Sequence, residues 1–405
     1  MADPLKTADI TGNAAADLTA AAPEAAVAEL PPEVVAQSLG EYVRAYVARI
    51  RAGESGVLPV VMAMVAIVVV FQVISPNNVY LSPGNLVNLF QQSAVIMVLA
   101  MAEAFALVLG EIDLSIGFVG ACGAAITVQL IQPATTNWPW PLAVLAGLLF
   151  CLVFGAIQGT LITRLHLPSF IVTLAGYLVA NGLFLKILLF GPFSGYPNLI
   201  GQTDNLHFIY NLMWGTIDPV VSWIGAGVVV AALGGFIWFS DSRRRTSGLV
   251  APPASLAWTI LLGRTKYGRY LYAIGGNPEA ARRAGINLSV VRTTAFMLCS
   301  FTAGIALLLY ASYLNGMSNN VQAGYYVLYA VAAAVIGGTS LMGGRGKPLH
   351  GVLGGLVIGA IYNGMYLLAL SFEWQYIVTG LVLLAAIIID AVSRRGSTSG
   401  SVSRV

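Results

Sequence analysis

Glu103, Glu111, Asp113, Lys186, Glu373 and Asp390 are the ionisable side chains that fall inside or against the long apolar runs of this chain. A charge at membrane depth is costly, so each is a candidate for ion passage, proton relay or interior pairing. Glu373 and Asp390 sit near predicted interfaces, where water solvates them. Glu103 and Lys186 admit an interior ion pair, the alternative being a Lys186 that snorkels to the headgroups. A proton relay wants titratable partners in series. The three histidines do not supply one, since His166 and His350 fall at span ends and His207 in a loop. No catalytic residue and no metal site is assigned, because neither a nucleophile beside a base nor a metal-ligand spacing is found. Cys122, Cys151 and Cys299 scatter through apolar runs and read as small packing residues.

The longest charged connector, 264–292, carries Gly275-Gly276-Asn277-Pro278-Glu279-Ala280-Ala281-Arg282-Arg283-Ala284-Gly285-Ile286. Asn277 is a good helix N-cap, Pro278 suits the first helical position, and Glu279 favours the positive end of the helix dipole. Arg282 and Arg283 complement the other end, Gly285 can adopt the left-handed stop, and Ile286 can fold back onto the last turn. A two-turn helix is marginal alone in water, so this one must dock. A groove in a cytosolic partner and an anionic membrane surface are the two candidates. A phosphate-binding loop needs G-x-x-x-x-G-K-[ST]. At Gly346-Lys347 the first Gly is replaced by Leu341 and the Ser/Thr by Pro348, so the chain itself is not expected to bind or hydrolyse ATP.

The elements that must position these groups are membrane helices. Hydrophobic residues make up 58% of the chain and charged ones 9%, with a mean hydropathy of +0.81, too apolar for a soluble globule. Ten apolar runs approach the roughly 20 residues that cross the hydrocarbon as a helix: 57–75, 86–109, 114–132, 141–163, 169–191, 221–240, 293–314, 325–341, 349–370 and 375–392. With the N-terminus inside, 19 of the 20 Lys and Arg residues fall in inside segments, and only Lys186 lies in a span. The fold class is therefore an all-α polytopic integral membrane protein of about ten transmembrane helices with both termini cytoplasmic. Residues 250–263 are short and flanked by basic residues, which favours an interfacial or re-entrant segment over an eleventh span. The 325–341 span ends in Gly337-Gly338, so a broken helix is admitted there.

The organisation read from this is a 1–56 Ala/Pro/Glu-rich segment expected to be disordered and cytoplasmic, a 57–392 transmembrane domain, and a 393–405 cytoplasmic tail. Within the domain, 241–292 is a cytoplasmic connector with its short helix at 277–286. Gly351, Gly355 and Gly359 line one helix face, Gly155 and Gly159 another, and Gly117, Gly120 and Gly123 form a third stripe, which suits close helix packing in lipid. Val108-x-Gly110-x-x-x-Leu114-x-x-Gly117 also echoes Val335-x-Gly337-x-x-x-Leu341-x-x-Gly344, either as a trace of repeated halves or as chance.

Four segments together resemble a known family. They are Gly-Glu-Ile-Asp-Leu-Ser-Ile-Gly (110–117), Leu-Pro-Ser-Phe-Ile-Val-Thr-Leu (167–174), the 268–286 stretch ending in the short helix, and Val-Ile-Gly-Gly-Thr-Ser-Leu-Met-Gly-Gly-Arg-Gly (335–346). In this order they are similar to the permease subunits of bacterial ABC importers for monosaccharides, of the ribose/xylose type and most like xylose permeases. The resemblance implies the ABC importer permease fold in a bacterial inner membrane. It also implies a permease homodimer, two ATP-binding cassette subunits that hold the ATP and Mg, and a periplasmic sugar-binding protein. The partners thus include the lipid bilayer and no nucleic acid, and this chain carries no cofactor. By motif, Asn277, Pro278, Glu279, Ala280, Ala281, Arg282, Arg283, Gly285 and Ile286 form the coupling helix pressed into the cassette. Glu111, Asp113, Ser115, Gly117, Gly337, Gly338, Gly343 and Gly344 form the family motif at span junctions. The implied function is alternating-access import of xylose or another pentose. The alternatives are another small solute such as a branched-chain amino acid on the same architecture, or an ion-coupled secondary carrier. A neutral sugar needs hydrogen-bonding and aromatic groups along its path, for which Asn88, Gln91, Gln92, Asn181 and Asn363 are candidates.

Overall fold

A computed structural model describes residues 58–133, 136–189, 199, 203–216, 262, 265–318, 321, 323–371, 373–382, 384–385 and 388. The 1–56 segment, the 221–240 span, nearly all of 241–263, most of 383–392 and the 393–405 tail lie outside the described residues. Eleven α-helices are assigned among those described: α1 (Leu58–Ile74), α2 (Pro83–Val108), α3 (Ile116–Leu130), α4 (Trp140–Arg164), α5 (Ser169–Leu188), α6 (Asp204–Trp214), α7 (Lys266–Gly276), α8 (Pro278–Arg283), α9 (Leu288–Tyr313), α10 (Ala323–Ile336) and α11 (Pro348–Leu367). Residues 373–382 are also helical, and no strand occurs among the described residues. The protein is an all-α polytopic membrane protein. By length and composition α2, α4, α5 and α9 can each cross a bilayer, while α1, α3 and α10 are apolar but shorter.

The helices sit where the apolar runs predict them, and their ends are set by local chemistry. Ser82 caps α2 by accepting the Asn85 N–H, and Asn287 caps α9 by accepting the Val290 N–H. At the far end of α2, Gly110 (φ +79°) turns the chain left-handed, and the Gly110 and Glu111 N–H groups bond Leu107 O and Ala106 O. The end of α10 repeats those two bonds through Gly338 (φ +108°) and Thr339. The echo between the two junctions is thus structural, but Gly110 corresponds to Gly338 and not to Gly337. The expected 325–341 span stops at Ile336 for this reason.

Helix α9 is the hub, packed on α2, α3 and α4, while α11 lies between α2 and α10. The Gly351-Gly355-Gly359 face of α11 rests on α2 at Ala100, Met97 and Ser93 in turn, and Gly155 and Gly159 rest on α9 at Phe296 and Thr293. The third stripe behaves differently. Gly117 meets α10, Gly120 meets α9 and Gly123 meets α4, because three-residue steps drift around a helix and α3 is buried on all sides. The outward face of α4 runs Leu142, Leu145, Leu149, Val153, Ile157 and Leu161, all exposed at helical spacing, which is the aliphatic surface that lipid requires.

Two helices fall where the sequence suggests only connectors. Helix α6 lies in the 192–220 stretch, burying Leu206 and Ile209, and its end is anchored to α9 by Trp214 Nε1 donating to Ser312 O at 3.0 Å. Helix α7 precedes the expected coupling helix and buries Leu271 and Ile274. Both are amphipathic and short, so a search for long apolar runs passes over them.

Candidate functional site

The connector helix forms as its residues dictate. Asn277 Oδ1 accepts the Ala280 N–H at 2.9 Å, Pro278 opens α8, and Gly285 (φ +80°) closes it with Gly285 N–H to Arg282 O and Ile286 N–H to Ala281 O. Glu279 bonds Arg282 at 3.0 Å and Arg283 at 3.4 Å, and this contact holds its carboxyl below the usual carboxylate range. Ala281 is buried and Ile286 packs on the core, so these two fasten the helix to the body. Glu279, Ala280, Arg282 and Arg283 point away from it, exposed.

What α8 is fastened to is a knot of backbone. A Cβ on Gly275 would overlap Val108 O at the end of α2 and stand 2.6 Å from Gly344 N. Those two groups bond each other, Gly344 N–H donating to Val108 O at 2.9 Å. A Cβ on Gly343 would stand 2.8 Å from both Gly110 N and Gly275 O, and Tyr272 OH donates to Gly346 O at 2.5 Å. The ends of α2 and α7 and the loop between α10 and α11 therefore touch main chain to main chain, with no side chain between to absorb a displacement. Gly343 and Gly344 belong to this knot. Gly337 and Gly338 lie one step away, against His350 of α11, and Gly117 packs on Ala323 of α10.

Beside the knot lie the buried acids. Glu111 meets Arg292 of α9 at 3.2 Å and is bonded by Ser169, at the start of α5. Ser115 Oγ donates to Asp113 Oδ1 at 2.6 Å and lies 3.0 Å from the Gln158 amide of α4. Glu103 Oε1 accepts the Asp113 N–H at 3.2 Å. The Glu103–Lys186 pair does not form. Glu103 is in the last turns of α2, beside the knot, whereas Lys186 is exposed at the far end of α5. An apolar-run reading places both merely inside spans and is blind to depth within them. A cleft of about 750 Å³ opens at this junction, lined among others by Glu111, Ser169, Gly275, Arg282, Arg292 and Met342. The four sequence segments singled out for their resemblance meet around it.

The path candidates divide. Asn363 and Gln92 are buried and joined, with Asn363 Nδ2 donating to Gln92 Oε1 at 3.1 Å and Gln92 Nε2 to Tyr313 OH at 3.1 Å. Asn85, not expected from sequence, completes the set by bonding Asn363 in both directions at 2.8 and 3.1 Å. Gln91 Nε2 donates to Met213 O of α6 at 2.6 Å. Asn88 and Asn181 are half-buried and take no part in the network. In this conformation the joined amides spend their bonds on one another, clamping α2 to α11. Sequence reasoning also missed Tyr272, Gly275, Ser169 and Arg292. The adjacent Gly275-Gly276 pair before a helix cap was the available signal for close backbone approach.

Comparison with known proteins bears on this arrangement. A family model described as branched-chain amino acid transport system / permease component matches residues 85–387. The xylose transport system permease protein XylH of Escherichia coli (strain K12) is 32% identical over 386 residues, covering 84% of this chain and 92% of its own. XylH of Haemophilus influenzae is 32% identical over 370 residues, covering 83% and 96%. The ribose import permease protein RbsC of Escherichia coli (strain K12) is 28% identical over 334 residues, covering 81% and 92%. No solved structure matches.

Proposed function

The chain belongs to the branched-chain amino acid transport system / permease component family, and from that membership we propose that it is the permease subunit of an ATP-driven monosaccharide importer, with a pentose such as xylose as first candidate. The relatives named for xylose and ribose transport support the sugar. The observation that carries the mechanism is the backbone knot joining α7, which leads into α8, to the end of α2 and to the loop between α10 and α11. An exposed helix held rigidly against two spans can pass a push on its outer face into the bundle without loss in flexible side chains. The cycle proposed is alternating access. ATP binding closes two cassette subunits that hold the ATP and Mg, and the exposed face of α8 conveys their motion to the spans.

The Lys and Arg residues clustered around α8 favour a cytoplasmic site for that end, with both termini cytoplasmic in a bacterial inner membrane. A second permease copy and a periplasmic sugar-binding protein complete the assembly. Import of a branched-chain amino acid, the solute in the family's description, is not favoured by the sugar-transport names of the relatives. It would want charge partners for a zwitterion along the path. Among the described residues the buried acids Glu103 and Asp113 are instead tied into the junction at the α8 end.

The test is reconstitution in proteoliposomes with a candidate cassette ATPase and a candidate sugar-binding protein. ATP-dependent xylose or ribose uptake is the expected result. Uptake under an ion gradient without the cassette, or ATP-driven uptake of leucine but no sugar, would overturn the reading. A cysteine at the exposed Ala284 should react with an impermeant thiol reagent only after the cytoplasmic side is opened.

Glu279→Arg and Gly285→Val test the docking role. The Glu279 pairs are solvent-exposed and contribute little to folding, so the arginine variant should insert normally. Adding a β-branched residue at φ +80° strains the stop, although nothing lies within 4 Å of the new Cβ. Each variant is expected to lose sugar-stimulated ATP hydrolysis and to cut uptake about tenfold. Unchanged stimulation would count against α8 as the contact.

A further inference from the structure

Eight of the 17 tyrosines fall between residues 310 and 376. In α10 and α11 every aromatic residue is a tyrosine: Tyr325, Tyr326, Tyr329, Tyr362 and Tyr366. Phenylalanine would fill the same volume without a hydroxyl to satisfy, and a buried hydroxyl without a partner is costly. The choice of phenol in apolar helices therefore needs its own reason.

The rings form a connected column inside the bundle. Tyr310 of α9 and Tyr326 of α10 are in contact, with ring centroids 4.6 Å apart and hydroxyls close enough to interact. Tyr326 meets Tyr329 edge-on at 5.8 Å, and Tyr329 meets Tyr362 of α11 at 6.0 Å. Tyr313, one turn beyond Tyr310, bonds Gln92 and stacks under Trp214 of α6 at 6.1 Å. Three spans and the end of α6 thus contribute to one chain of rings and hydroxyls.

We propose that Tyr310, Tyr313, Tyr326, Tyr329 and Tyr362 form the site through which a neutral polyhydroxylated solute passes, closed here because the rings fill it themselves. This rests on the reading of the protein as a sugar permease. A phenol donates and accepts hydrogen bonds, as a sugar hydroxyl does, so a tyrosine hydroxyl such as that of Tyr313, bonded here by Gln92, can exchange its protein partner for a sugar hydroxyl. Aromatic faces offer the C–H side of a sugar ring an apolar surface without fixed charge. The column also answers to the coupling element. Helix α10 carries Tyr326 and Tyr329 near one end and continues at the other into the Gly343-Gly344 loop held by Gly275. A push on α8 therefore reaches the rings along one helix of about 20 Å.

The test uses the full complex in proteoliposomes, with Tyr310→Phe, Tyr326→Phe, Tyr329→Phe and Tyr362→Phe made singly. Each keeps its ring and removes one hydroxyl. Uptake of xylose, ribose and the monodeoxy analogues of xylose is measured beside ATP hydrolysis. Tyr326→Phe and at least one other are expected to slow xylose uptake tenfold or more while hydrolysis stays within twofold. They should also lose the parent's preference for xylose over one monodeoxy analogue, since a site that bonds a hydroxyl discriminates against its absence. Tyr366→Phe, on an exposed ring outside the column, should behave as the parent. Unaltered uptake in all four variants overturns the proposal. So does an equal loss for every solute together with hydrolysis, which marks a packing role. A parent complex that imports none of the sugars removes the permease reading and this site with it, and that outcome is seen before any variant is made.

Discussion

Gly275→Val is expected to abolish sugar uptake, by a hundredfold or more, in a protein that still inserts into the membrane. The new Cβ overlaps Val108 O and stands 2.6 Å from Gly344 N, the two partners of the hydrogen bond that closes the knot. Backbone cannot rotate aside as a side chain can, so either that bond breaks or α7 lifts from α2. Overpacking of this kind costs about 1–3 kcal/mol, and breaking the bond exposes a buried N–H to a further penalty of about 1–3 kcal/mol. The packing of α9 on α3 and α4 and of α11 on α2 at Ser93, Met97 and Ala100 lies away from the contact, so insertion and bundle packing should persist. Gly276→Ala is the built-in control, because its Cβ meets nothing within 4 Å. The measurement is ATP hydrolysis and uptake in reconstituted complexes. Hydrolysis of the valine variant should no longer rise with sugar-loaded binding protein. Equal behaviour of the two neighbours would show that the knot transmits nothing.

The contrast between Gly275 and Gly276 also marks how far the sequence could be read. Span positions were legible because lipid imposes a long apolar run, and α2, α4, α5, α9 and α11 fall within a few residues of the expected ranges. The α8 helix was legible to its individual caps, since Asn277, Pro278 and Gly285 act locally. Which glycines carry the contact was not. Gly275 and Gly344 are 69 positions apart and meet only because two helix ends and the loop between α10 and α11 converge, which no local pattern encodes. Depth was equally hidden. Glu103 and Lys186 both read as charges within spans, yet one belongs to the α8 end and the other to the opposite end. Helix α6 escaped because its buried face consists of little more than Leu206 and Ile209, too small a stripe to stand out in a loop.

The half-buried ion pair at the same junction gives the second large effect. Arg292→Met is expected to destabilise the protein by about 3 kcal/mol, the lower part of the range for breaking a buried pair, because Arg292 keeps partial access to water. Glu111 is the reason. Its side chain is 11% exposed against 27% for Arg292, so the carboxylate is the group left stranded. Burial pushes the Glu111 carboxyl above its usual range, and Arg292 is the charge that pulls it back. Without the guanidinium only the upward push and the Ser169 bond remain. A carboxyl whose folded pKa is raised favours folding below that pKa and loses the contribution as pH rises through it. The thermal midpoint of the Arg292→Met variant should therefore lie closest to the parent in mild acid and fall away in mild alkali. Adding Glu111→Gln should restore most of the midpoint and flatten its pH dependence, since the double variant has no charge to strand. A single variant as stable as the parent at every pH would mean that water, not Arg292, satisfies Glu111.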